Sequence, residues 1–299
     1  MKKVLKFAFR QINRFFNKFG CNIVRISPHD DYKFSLDCNF PPYNVEYEAS
    51  SEKVQELLYH IETVWNKYGE NETYWSVLTS DDFLRKNLSE DAVEAFYATG
   101  KDVMIQIENT LCRSGEWDTL NRQKCMEYGC GVGRVTIWLA HEFENITALD
   151  ISQGHIELAR QRIDTLGIRN IDFQKISSLD FLASLPKYDF IFSVIVLQHN
   201  PPPVIAMLIE HFFRLLKDGG VAMFQVPVQI AGYEFSIDDY IAEMGSRKAM
   251  EMHMLPQRAI FEIARRNNCS PLEVHNDNWT GAPAKYISQT FVFKKYNSQ

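Results

Sequence analysis

The sequence predicts a doubly wound α/β domain preceded by helices. Three observations carry this. From about residue 122 onward, short apolar runs alternate with amphipathic segments, the texture of repeated strand–helix–strand units. The run Asp189–Val196 is apolar almost without a break, as in a parallel strand covered on both faces. A cluster of glycines stands between the first of these strands and the helix that follows it, where a chain reversing over a ligand needs residues without side chains.

Taken in order, residues 1–20 predict an amphipathic helix. Leu5, Phe9, Ile12, Phe16 and Phe19 form one apolar stripe, with Lys2, Lys6, Arg10, Arg14 and Lys18 running at four-residue spacing beside it. Gly20 is its expected stop. Three readings stay open: contact with an anionic membrane surface, packing of the stripe on the body or on a second copy in a homo-oligomer, or a targeting peptide. Residues 26–50, with Pro28, Pro41 and Pro42, read as a linker. Ser50 or Ser51 is expected to cap a helix over about 52–68, ended by Gly69. A further helix should start after Ser89 and run toward Gly100, and another should cover 101–113. The expected layout is therefore a basic helix and linker over 1–49, a helical cap over 50–121, and the α/β domain over 122–299.

Within that domain, strands are expected at Cys125–Tyr128, Ile146–Leu149, Ile171–Ile176, Asp189–Val196 and Val221–Val226, with two late ones at Leu272–His275 and Gln289–Lys294. Helices are expected at Val135–His141, Gly154–Leu166, Val204–Leu216 and Arg258–Asn267. The stretch 228–256 is longer than an ordinary connection and holds Tyr233, Phe235, Tyr240, Met244, Met250 and Met252; it reads as a lid.

The chemistry is carried by Glu127-Tyr-Gly129-Cys-Gly131-Val-Gly133-Arg134. A strand, a glycine loop and a helix N-terminus in succession are expected to present free backbone N–H groups to a ligand. The spacing is G-x-G-x-G, not the G-x-G-x-x-G of dinucleotide binders, and Glu127 stands two positions before the first glycine. Asp150 ends the next strand, 17 residues after Gly133, where a carboxylate can accept both hydroxyls of a ribose. Ile151 beside it can pack on a base. The alternative for Asp150 is a cap for the following helix.

These residues resemble a known family. Met126–Val135 looks like motif I of class I S-adenosylmethionine-dependent methyltransferases. Ile146–Ser152 resembles their second motif, Tyr188–His199 their fourth strand and catalytic-side loop, and Leu216–Gly220 the turn before their fifth strand. The match covers roughly 122–227. It implies a Rossmann-like, doubly wound seven-stranded sheet with an antiparallel last strand, here with an N-terminal helical extension, and S-adenosyl-L-methionine as cofactor. It further implies that Gly129, Gly131 and Gly133 border the methionine part, that Glu127 holds its amino group, and that Asp150 holds the ribose. Ser178 and Leu179 would border the adenine, although many relatives carry an Asp near there. Ser193 would lie beside the transferred methyl.

An oxygen acceptor must lose a proton, and a histidine suits that task. His199, just past the fourth strand, is the first candidate base; His253 and His275 are further ones, and Asp277–Gly281 is expected to border the acceptor. The layout resembles bacterial methyltransferases of glycan or small-molecule pathways, so a small-molecule or glycan acceptor is expected. A protein or RNA acceptor, or a non-catalytic cofactor-binding module, are the alternatives. Residues 1–29 carry seven basic and no acidic side chains, which leaves the rest at −13 against −6 overall. An acidic body argues against long nucleic acid as a partner. Six cysteines without C-x-x-C or zinc spacing point to reduced thiols and no metal site. Lacking an 18-residue apolar stretch or a signal-peptide pattern, the chain is expected in the cytoplasm, or peripherally at the inner membrane face.

Overall fold

The computed structural model describes residues 43–246, 250–282 and 285–297. The basic helix expected over 1–20 lies outside the described residues.

The α/β segment begins at β1 (Lys124–Tyr128) and continues through α4 (Thr136–Glu142), β2 (Asn145–Asp150), α5 (Gln153–Leu166) and β3 (Ile171–Lys175). There follow α6 (Leu179–Ser184), β4 (Tyr188–Ser193), α7 (Pro202–Leu215), β5 (Leu216–Ile230), α8 (Ile237–Glu243), α9 (Gln257–Arg266), β6 (Cys269–Asp277) and β7 (Tyr286–Lys295). The seven strands form one sheet in the order β3-β2-β1-β4-β5-β7-β6. The β1–β2, β2–β3, β1–β4 and β4–β5 pairs are parallel, whereas β7 pairs antiparallel to both β5 and β6. This is the Rossmann-like arrangement with an antiparallel last strand. The strand order reverses beside β1, so a crevice opens past the carboxyl ends of β1 and β4.

Among the described residues, three α-helices precede the sheet: α1 (Ser51–Asn71), α2 (Thr73–Val77) and α3 (Glu90–Arg113). Ser50 caps α1, its Oγ accepting from Lys53 N. Val54, Leu57, Leu58 and Ile61 then repeat at helical spacing and are buried. With α7 and α9, α1 covers one face of the sheet; α3, α4 and α5 cover the other through Val103, Ile107, Leu111, Leu139 and Ala159.

Two helices were expected where α3 is one, and Gly100 explains the difference. A Cβ there would sit 1.9 Å from the Arg134 carbonyl oxygen. The glycine is therefore a contact point, not a stop: it lets α3 touch the backbone that leaves the glycine loop. The same contact is secured by Tyr97 Oη donating to Val132 O and by Trp138 Nε1 donating to Tyr97 O. A second close approach joins Gly69, near the end of α1, to Gly154 at the start of α5. A Cβ on Gly69 would lie 2.2 Å from Ser152 Oγ, and one on Gly154 2.8 Å from Gly69 O. The cap is thus held against the sheet's crevice edge at two glycine contacts.

Of the stretch expected as a lid, 228–230 extends β5 and 237–243 is α8. Residues 251–255 are tied down by His253 N donating to Gln198 O, Leu255 N to Pro227 O, and Tyr240 Oη to Glu251 Oε2. Among the described residues no helix is long and apolar enough to cross a membrane.

Candidate active site

The crevice holds a pocket of about 760 Å3, counting its open mouth. The ends of β1 and β2 contribute Glu127, Gly129, Gly131, Asp150 and Ile151; the cap contributes Ile61, Trp65, Ser76 and Val77; Ile176 follows β3, and Val194, Ile195 and Val196 follow β4.

Gly129, Gly131 and Gly133 all have positive φ, at 76°, 53° and 82°, a conformation that only glycine adopts freely. Four amides of this loop are engaged within the chain. Gly129 N and Cys130 N both donate to Leu149 O, Gly133 N donates to Cys130 O, and Gly131 N donates to Asp150 Oδ2 at 2.8 Å. The glycines instead provide room. A Cβ on Gly129 would lie 2.3 Å from Val196 Cγ2, and one on Gly131 2.8 Å from Val77 Cγ2, so side chains of the pocket wall approach the loop backbone directly. Gly133 lies behind the pocket, against Ala159 and Phe173.

Asp150 is buried and fixed by two backbone donors: Gly131 N to Oδ2 and Ser152 N to Oδ1, each at 2.8 Å. A carboxylate has about four acceptor positions, so two remain for a ligand. Ser152, not Asp150, occupies the N-cap of α5. Glu127 is buried with its Oε2 accepting from Thr136 Oγ1 at 2.5 Å. Burial raises its pKa to about 8, with Asp150 adding to the effect and Thr136 and Arg134 opposing it. Arg134 lines the same pocket, and burial lowers its pKa against the pull of Glu127. Its Nη1 reaches Thr99 Oγ1 at 3.3 Å, and its buried Nε has no hydrogen-bond partner in the structure.

Besides Gly133, four expected residues lie outside this lining. Ser178 caps α6, accepting from Phe181 N, so the chain turns away after Ile176, which takes the place expected for Ser178 and Leu179. Leu179 packs against the core. Ser193 is fully buried and donates to Tyr128 O, tying β4 to β1. His199 faces a smaller space between α1 and residues 250–251. Its Nδ1 lies 2.9 Å from Glu251 O and its Nε2 3.1 Å from Gln198 Nε2. Gln225 Nε2 donates to Gln198 Oε1, which turns the Gln198 amide N–H toward the ring. Burial, with His253 beside it, pulls the His199 pKa down to about 4, against the bond to the Glu251 carbonyl. The ring is therefore neutral near pH 7, and its one lone pair is engaged by Gln198.

Several lining residues escaped the sequence reading. Trp65 is one: its ring lies between those of His155 and His199, at 6.4 and 5.6 Å. Ile195 has φ 61°, a strained value for a β-branched residue, and its N–H is held by Gln225 Oε1 at 3.0 Å. Arg134 ended the recognised motif but had no assigned part.

The α/β fold is that of class I methyltransferases, and its crevice sets two carboxylates, Glu127 and Asp150, at the ends of β1 and β2. Comparison with known proteins agrees. Residues 125–220 match the family model described as a methyltransferase domain. A tRNA/tmRNA (uracil-C(5))-methyltransferase of Campylobacter lari is 36% identical over 100 residues, covering 31% of this chain and 29% of that protein. A ubiquinone biosynthesis O-methyltransferase of Thiobacillus denitrificans is 27% identical over 103 residues, covering 34% of this chain and 43% of that protein. The chain thus spans less than half the length of either relative. Among solved structures, magnesium protoporphyrin IX methyltransferase from Synechocystis PCC 6803, with bound S-adenosylhomocysteine, superposes with a TM-score of 0.52 at 20% identity. That superposition covers 78% of this chain and 99% of the other.

Proposed function

We propose that this protein transfers a methyl group from S-adenosylmethionine to a hydroxyl of a small molecule, such as a sugar of a surface glycan. The observation that carries the reading is the doubly anchored Asp150 carboxylate beside the glycine loop, with two acceptor positions left for ribose hydroxyls. The remaining lining suits the cofactor as well. Glu127 would hold the amino group and Arg134, with its partnerless Nε, the carboxylate of the methionine end. Ile151, Ile176 and Trp65 supply apolar surface for the adenine. The cofactor brings the electrophile, a sulfonium methyl whose bonding pair leaves with sulfur; the protein must hold the acceptor in line and take its proton.

Calorimetry tests this directly. S-adenosylmethionine and S-adenosylhomocysteine should bind, and NAD should not. Asp150→Ala should weaken binding by about 1.5–3 kcal/mol, the worth of a charged hydrogen bond; unchanged affinity would remove Asp150 from the ribose. Transfer of labelled methyl groups into an extract of the source organism should mark a small molecule. A labelled protein or RNA fraction would defeat the acceptor assignment.

A further inference from the structure

A second cavity lies next to the cofactor crevice. It encloses about 1040 Å3, counting its mouth, and is lined from α3, from the ends of β4 and β5, and from β6 and β7. The two cavities share Val194 in the segment after β4, so a group held in the second one abuts the first. Val103, Phe192 and Met223 form an apolar floor, while Gln106, Asn109 and Asn278 are neutral amides around it. An apolar floor ringed by neutral donors and acceptors fits an uncharged, hydroxylated ring. Trp279, on the loop after β6, adds a flat amphipathic face.

One end of this cavity carries a relay. His275 and Glu273 alternate along β6 and so project from the same face of the sheet. His275 Nδ1 lies 2.8 Å from Glu273 Oε1. Arg113 of α3 grips the same oxygen, with Nη2 at 2.6 Å and Nε at 3.2 Å. Burial alone would raise the Glu273 pKa, but Arg113 and His275 hold it below the ordinary carboxylate value. The other charged group on this wall, Asp277, is engaged by Thr290 Oγ1 and Trp279 N. The contact of His275 with Glu273 falls outside hydrogen-bond geometry, but a proton on Nδ1 would face the carboxylate and leave the lone pair on Nε2, for which no hydrogen-bond partner is found among the described residues. The contrast with His199 is direct, since there the equivalent lone pair is taken by Gln198.

We propose that this second cavity binds the methyl acceptor as a neutral hydroxylated ring, and that His275 accepts the hydroxyl proton at Nε2. The inference rests on the methyltransferase reading above. In the step, the acceptor O–H bond breaks and its electron pair stays on oxygen. The proton passes to Nε2, Glu273 balances the new imidazolium charge, and the proton later leaves to water through the mouth. Glu273 and Arg113 are positioning residues: they set the tautomer and hold the ring.

The test uses the full chain saturated with S-adenosylhomocysteine, with isotope-labelled histidine read by NMR. Methyl α-D-glucopyranoside and catechol serve as probes for a sugar and a phenolic source of the same hydroxyl chemistry. Saturable movement of the His275 signal with either probe supports the site, and the probe that acts identifies the source. Trp279→Ala should weaken that response about tenfold. In the labelled-methyl assay, His275→Ala and His275→Gln should each reduce incorporation about 100-fold, with unchanged S-adenosylhomocysteine affinity. A signal deaf to both probes, or full incorporation by both variants, overturns the proposal. Failure of S-adenosylhomocysteine to bind the unaltered chain instead overturns the cofactor reading, and this one with it.

Discussion

Gly100→Ala is expected to destabilise the protein by about 2–4 kcal/mol, although the same change in most helices stabilises by about 1 kcal/mol. Alanine's advantage depends on free space beside the helix. Here the new methyl would meet the Arg134 carbonyl oxygen at 1.9 Å, the Arg134 carbonyl carbon at 2.8 Å and Trp138 Cδ1 at 2.8 Å. Two of these atoms are backbone and cannot rotate away, so α3 or the turn after the glycine loop must move. The melting temperature should fall by roughly 5–15 °C. Because Arg134 lines the crevice, affinity for S-adenosylhomocysteine should fall as well. Thermal melts and calorimetry on the purified variant check both effects. A variant that melts higher would show that α3 does not bear on the loop in this way.

Glu127→Gln should change how the protein responds to pH, and in a calculable direction. The Glu127 carboxyl ordinarily titrates at 4.5 but is raised to about 8 in the fold, first by burial and further by Asp150. Between those two values the folded chain holds a proton that the unfolded chain has lost. The stability this group contributes is therefore complete below about pH 4.5 and is lost as pH rises through about 8. Glutamine is uncharged throughout, so the variant should lack this slope. Above pH 8 it should be the more stable protein without ligand, by up to on the order of 3–5 kcal/mol. Ligand binding should show the converse. If Glu127 meets the cofactor's ammonium group, binding near neutral pH expels the carboxyl proton. Calorimetry in two buffers of different ionisation heat should detect that release in the wild type and much less in Glu127→Gln. Identical proton release in both proteins would separate Glu127 from the ammonium.

Much of this was legible in the residues, because the fold's most constrained points are also its most unusual ones in sequence. Three closely set glycines have few uses other than positive φ and close approach, and Asp150 ends an apolar strand where a charge needs a reason. The strand ladder was readable from its apolar runs, and the antiparallel last strand came with the family resemblance. What escaped was set by tertiary contact. Gly100 has the same sequence appearance whether it ends a helix or seats one, and only the neighbouring Arg134 backbone decides. Ser178 and Leu179 were placed by analogy at the adenine, yet Ser178 serves α6 as a cap. His199 stood in a promising position, but its engagement by Gln198 depends on Gln225, which lies 26 residues further along the chain. The meeting of Arg113 and His275 at Glu273 joins segments still more distant, and no local pattern announces it.

The glycine-to-glycine contact between α1 and α5 bears on traffic through the crevice. With Gly69 and Gly154 touching at one corner and α3 seated on Arg134 at another, the cap has no slack on the side of β2. At the opposite rim the connection after β4 carries the strained Ile195 and meets the segment around 250–253. Side chains at Gly69 or Gly154 should force α1 off α5, whereas clamping the rim around Ile195 should slow product escape.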